Sequence, residues 1–162
     1  MTRTADAVII GGGATGVSIA YHLAGLGVRD IVVLEKSFLG AGGTGHSVGI
    51  VRQLYPTPEA TRMVVRSLAV FRDFTHVVGG HAGYVDCGVL IGVSPAMRPA
   101  LEKNLAMQHE AGVRAEILDP ADLARVEPRI DPTGLGAILY EPDSGYGDPV
   151  GEIGRASCRE RV

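Results

Sequence analysis

Eleven residues near the start of the chain, Asp6–Gly16 (D-A-V-I-I-G-G-G-A-T-G), restrict its possible folds more than any other stretch. A short apolar run enters a turn in which Gly11, Gly13 and Gly16 fit the pattern G-x-G-x-x-G. A helix-like run follows, and then a second apolar run, I-V-V-L-E, that ends at Glu35. Strand, glycine turn, helix and strand in that order form the βαβ unit that binds dinucleotides. Gly11 lets the chain leave the strand in a tight turn. Gly13 removes a side chain where backbone approaches a pyrophosphate, and Gly16 lets helix and sheet pack closely. Ala14, Thr15 and Gly16 then offer the free N–H groups of a helix N-terminus to the phosphates. Glu35 ends the second strand, where a carboxylate can accept hydrogen bonds from ribose hydroxyls. The same charge would repel a 2′-phosphate, which argues against NADP.

The remaining composition is that of an ordinary globular chain. Of 162 residues, 46% are apolar and 20% charged, and the 23 glycines are in keeping with phosphate-binding loops. A net charge of −3 gives no case for nucleic acid or an anionic membrane as partner. No apolar run approaches a membrane span. The N-terminal apolar run is too short for a signal peptide, so a cytoplasmic setting is the expectation. Two cysteines, Cys87 and Cys158, make no disulfide framework.

Beyond the first unit the pattern alternates. Thr57 and Pro58 open a long helix whose buried stripe is Val64, Leu68, Phe71, Phe74 and Val78, closed by Gly79 and Gly80. Tyr84–Val93 reads as a strand, with Cys87 in its core. Ser94-Pro95 starts a helix with Met97, Leu101 and Leu105 four apart, stopping at Gly112. A-E-I-L-D is a short strand, Asp119-Pro120 opens a brief helix, and Leu135–Pro142 is a further strand. The expected class is α/β: a Rossmann-like βαβ unit over residues 5–55, incomplete as a sheet, followed by the start of an α+β substrate domain. More parallel strands are expected downstream of Gly151. None of His22, His76, His81 and His109 has partners at metal-ligand spacing, so no metal is expected.

A second glycine-rich loop adds specificity. Ala41–Tyr55 (A-G-G-T-G-H-S-V-G-I-V-R-Q-L-Y) resembles the flavin-contacting segment of FAD-dependent oxidoreductases of the D-amino-acid oxidase type. It is most similar to the sarcosine oxidase β-subunit and dimethylglycine dehydrogenase branch. That branch shares I-I-G-G-G-x-x-G, L-E-K at the end of strand two, and a stretch like Y-E-P-D-S-G-Y-G-D-P, Tyr140–Pro149. The resemblance covers residues 5–150. It implies FAD laid along the first βαβ unit, with Gly11, Gly13, Ala14, Thr15 and Gly16 at the pyrophosphate, Glu35 at the ribose and Lys36 beside the adenosine. The Gly42–Gly49 loop, with Gly43, Thr44, His46, Gly49 and Ile50, would face the pyrophosphate and flavin.

The resemblance also implies oxidation of the C–N bond of a small amino acid or N-methyl amino acid, with hydride transfer to the flavin. Arg52, in I-V-R-x-x-Y, matches an arginine that holds the substrate carboxylate in sarcosine-oxidase-type relatives, a task suited to a guanidinium. A structural or surface role for Arg52 stands beside that one. Thr44-Gly45-His46 matches the spacing of a T-x-H stretch that carries covalent flavin in the dimethylglycine dehydrogenase branch. Those relatives have Trp where Gly45 stands, and many noncovalent relatives have Lys or Arg at His46. A 2-hydroxy acid or glycerol phosphate is the alternative substrate class. Other subunits of a hetero-oligomeric oxidase are possible partners, and nucleic acid and membrane are not expected.

The last eleven residues, Glu152–Val162, differ in character from the rest. They resemble one translated frame of a common sequencing-library adapter. The expectation is an N-terminal portion, residues 1–151, joined to an adapter-derived tail, 152–162, and inactive by itself.

Overall fold

The computed structural model describes residues 4–151 and 153. The expectation for the tail therefore falls, Ile153 apart, outside the described residues. The chain divides into two compact units. Among the described residues the first comprises 4–50, 70–84, 146–151 and 153; the second comprises Val51–Ala69 and Val85–Gly145.

The first unit is built on the glycine fingerprint. Strand β1 (Ala7–Ile10), helix α1 (Ala14–Gly25) and strand β2 (Ile31–Leu34) follow in the expected order. The strands are parallel, in register from Ala7 opposite Ile31 to Ile10 opposite Leu34. Asp6 and Gly11 N–H groups extend the ladder at its two ends, donating to Asp30 and Leu34 carbonyls. Helix α1 closes in a Schellman arrangement: the Gly27 N–H donates to the Ala24 carbonyl and the Val28 N–H to the Leu23 carbonyl. The sheet is two-faced. Ile9 lies toward α1, whereas Val8 (57%), Ile10 (87%) and Leu34 (52%) are exposed.

Two-residue strand β3 (Ile50–Val51) precedes helix α2 (Pro58–Arg72). Thr57 opens α2 as expected, its Oγ1 accepting from the Ala60 N–H at 3.3 Å. The long helix expected to run to Val78 is interrupted at Asp73, and a short helix α3 (Phe74–Val77) follows. Only Leu68 and Val78 of the expected stripe are fully buried. Phe71 stays partly exposed, its ring stacked with Phe74 and tilted against Tyr84, at 6.4 and 5.9 Å.

The second unit is an antiparallel sheet with helices. Strands β4 (Val85–Asp86) and β5 (Val89–Val93) divide the single strand expected over Tyr84–Val93. The break is at Gly88, whose φ of +75° is left-handed; a Cβ there would lie 2.9 Å from the Tyr140 ring. Cys87, expected in the core, is instead exposed at this break. A 3₁₀ turn (Pro95–Met97) leads into helix α4 (Arg98–Glu110). Strand β6 (Glu116–Leu118), a second 3₁₀ turn (Pro120–Asp122), helix α5 (Leu123–Val126) and strands β7 (Ala137–Glu141) and β8 (Gly145–Tyr146) follow. Strand β7 is central, antiparallel to β5 and β6. Its side chains alternate between two clusters, as a strand's must. Ala137 and Leu139 pack with Leu101 of α4, while Ile138 packs with Leu118 and with Leu123 of α5. Among the described residues no helix is long and apolar enough to cross a membrane.

Candidate functional site

The candidate site is the turn between β1 and α1, with two further segments fastened to it. Gly16 is forced by close approach: a Cβ there would stand 2.0 Å from the Gly11 carbonyl oxygen and 3.3 Å from Ile9 Cγ2. The first turn of α1 starts at Gly13, which brings no side chain to cap it. The early N–H groups of the helix are thus left to other acceptors.

One of those acceptors belongs to the chain. Thr44 Oγ1 accepts from the Ala14 N–H at 3.1 Å. A Cβ on Gly13 would lie 3.0 Å from the same oxygen. The close approach at Gly13 is therefore made by the glycine-rich loop. Because its oxygen accepts here, the Thr44 hydroxyl keeps its proton to donate. The loop is anchored again where the Gly40 N–H donates to the Gly12 carbonyl at 2.9 Å.

Glu35 closes the other side. Its Oε2 accepts from the Gly12 N–H at 2.8 Å and its Oε1 from the Ser37 N–H at 3.0 Å. These bonds, Gly12's foremost, hold its pKa below the ordinary carboxylate value, with the Lys36 charge adding a little. The group is an anion at neutral pH, and each oxygen retains a lone pair for a ribose hydroxyl. Gly12 is the residue that reading the sequence missed. A Cβ at Gly12 would stand 2.5 Å from Leu39 Cδ2 and 3.2 Å from Glu35 Cβ. The one available signal was the middle place in Gly11-Gly12-Gly13, which the G-x-G-x-x-G pattern leaves unspecified.

Gly11, Gly13, Ala14, Gly16, Glu35 and Thr44 thus meet in one place, and Thr15 lies in the same helical turn. The other expected residues stand differently. His46 is exposed, with Nδ1 2.8 Å from the carbonyl oxygen of Gly42 in its own loop. A side chain at Gly45 would meet the Gly40 carbonyl oxygen at 2.4 Å. Gly43 and Lys36 are exposed. Gly49 pairs with Gly147, whose N–H donates to its carbonyl at 2.9 Å, and Ile50 is exposed in β3. Arg52 belongs to the second unit, where its guanidinium carbon lies 5.7 Å from the centre of the Tyr55 ring, a cation–π distance.

Known proteins are similar to this chain in fold and in sequence. L-proline dehydrogenase from P. horikoshii superposes with a TM-score of 0.86 over 98% of this chain and 42% of that one; at 24% identity the likeness concerns the fold. Mitochondrial sarcosine dehydrogenase of Mus musculus is 35% identical over 153 residues, 93% of this chain and 17% of that protein. Mitochondrial dimethylglycine dehydrogenase of Rattus norvegicus is 31% identical over 146 residues, 90% of this chain and 17% of that protein. The chain thus spans about one sixth of the length of these curated relatives. The model of the FAD dependent oxidoreductase (DAO) family matches residues 6–151, nearly the whole described chain, and the chain belongs to that family.

Proposed function

We propose that the protein oxidises the C–N bond of a small amino acid or N-methyl amino acid, of the sarcosine or glycine kind. The observation that carries this reading is the likeness, across nine-tenths of the chain, to enzymes named for sarcosine and dimethylglycine. The alternative, a related enzyme of 2-hydroxy acids or glycerol phosphate, lacks comparable support among those two relatives.

The residues fit FAD. The first turn of α1, which Gly13 leaves without a cap of its own, suits a pyrophosphate, and the anionic Glu35 suits an adenosine ribose. Bound there, FAD would supply a hydride acceptor for the carbon next to the substrate nitrogen. The chain's own share is binding and orientation. Thr15 and Gly16 N–H groups and the Thr44 hydroxyl would face the phosphates, and Glu35 would hold the ribose. Arg52 takes the substrate carboxylate in a bidentate grip that its planar fork allows. Holding one end of a small substrate fixes which C–H bond is presented, and so contributes to rate through orientation. His46 is assigned a noncovalent contact, since its ring already engages Gly42 and Gly45 excludes a bulky neighbour.

The test is anaerobic mixing of the full-length flavoprotein with sarcosine, dimethylglycine, glycine, lactate or glycerol 3-phosphate. Bleaching of the oxidised flavin by the amines alone is the expected result. Bleaching only by lactate or glycerol 3-phosphate would replace this reading with the alternative.

A further inference from the structure

The second unit contains a buried acid that the proposed chemistry does not use. Glu141, at the end of β7, is 0% exposed, as are Gln108 and Ser144 beside it; Gln53 is 3% exposed. Three donors converge on the carboxylate. The Gln53 backbone N–H reaches Oε2 at 2.7 Å, the Ser144 hydroxyl reaches Oε2 at 2.7 Å, and Gln108 Nε2 reaches Oε1 at 3.2 Å. Gln53 Nε2 also donates to Ser144 Oγ at 3.4 Å. A buried carboxylate is costly unless such donors surround it, and directional bonds of this kind fix geometry more tightly than apolar contact does.

What they fix is the segment that carries Arg52. Residues 52–55 have no regular secondary structure. The Gln53 N–H belongs to the Arg52–Gln53 peptide plane, so its bond to Glu141 sets the orientation of the main chain at Arg52. Leu54 packs against the cluster of Leu101, Ala137 and Leu139. Tyr55 lies beneath the guanidinium. Arg52 therefore projects from a strip pinned by one polar anchor and one apolar one.

The geometry points to Glu141 as a positioning residue for Arg52: through the Gln53 N–H it aims the guanidinium at the substrate carboxylate. This rests on the reading of Arg52 given above. A glutamine at 141 keeps the shape and one acceptor oxygen, but turns an N–H₂ toward the converging donors.

The experiment compares wild type, R52A, E141Q, S144A and the double variant R52A/E141Q in the full-length flavoprotein. The substrates are sarcosine and N-methylethylamine, an amine without a carboxylate. R52A is expected to raise KM for sarcosine by roughly tenfold or more, the loss of a charge-assisted contact. E141Q and S144A are expected to raise it about three- to tenfold with kcat little changed, the loss of one buried hydrogen bond. In E141Q and S144A, KM for N-methylethylamine stays as in wild type, and for sarcosine the double variant is no worse than R52A. Amide hydrogen exchange in the peptide spanning residues 51–55 is faster in E141Q, whether or not sarcosine is turned over. An unchanged KM in R52A sinks the assignment of Arg52 itself. A raised KM in R52A sinks the positioning role alone if it comes with an E141Q effect that is absent, additive or equal for both amines. Unchanged exchange at 51–55 does the same.

Discussion

Glu35 carries two duties with two oxygens. It accepts from Gly12 and Ser37 N–H groups, and in the proposed reading it also takes a ribose. Its lowered pKa gives the sign of the pH response. A carboxylate whose pKa is depressed in the folded chain contributes fully above its ordinary value of 4.5, and the contribution is lost as pH falls through the lowered value. FAD affinity is therefore expected to stay level from neutral pH down to the ordinary carboxylate range and to weaken only below it. Fluorescence titration with FAD at stepped pH reads this. Glu35→Gln should lower affinity on the order of tenfold at pH 7 and abolish that acid limb. Affinity and pH profile matching wild type would remove Glu35 from the site. Cys87 gives a second expectation at this scale. Exposed at the Gly88 break, it should react with a thiol reagent in the native state nearly as fast as in denaturant. Protection in the native state would contradict the exposed placement.

Elements that follow from local pattern were legible in the sequence. The βαβ order, the opening of α2 at Thr57 and the strand centred on residues 137–141 needed only periodicity, a capping residue and glycines. Thr57→Ala should cost about 1 kcal/mol in chemical denaturation, the ordinary worth of such a cap; no loss would show that α2 starts without it. Elements decided by distant partners were not legible. Tyr84–Val93 reads as one apolar strand, but the left-handed conformation at Gly88, beside the Tyr140 ring, divides it. The stripe from Val64 to Val78 keeps helical spacing through Asp73, where the helix nevertheless breaks. In the candidate site the glycines and Glu35 could be read from spacing, because short local geometry demands them. The bonds from Ala14 to Thr44 and from Gly12 to Glu35 could not, since they join residues 30 and 23 positions apart. The anchor between Gln53 and Glu141, 88 positions apart, gave no sequence signal at all.

At the scale of the molecule, one face of the β1–β2 sheet presents Val8, Ile10 and Leu34 to solvent. Contiguous exposed apolar side chains of this kind invite association. The 162-residue chain should bind an apolar dye such as ANS and self-associate with concentration. Val8→Thr with Ile10→Thr should reduce both, read by dye fluorescence and sedimentation; equal dye binding in wild type and variant would place the apolar surface elsewhere. The bond between Gly12 and Glu35 has a consequence for redesign. Converting such a site to a 2′-phosphorylated nucleotide ordinarily begins by replacing the acid at the end of the second strand with a small or basic residue. Here that exchange would also strip the glycine turn and the Ser37 amide of their acceptor. In the proposed reading, nucleotide choice and turn architecture are thus written in the same two atoms. A change of preference would have to supply a new acceptor for Gly12 before it could profit from the charge it removes.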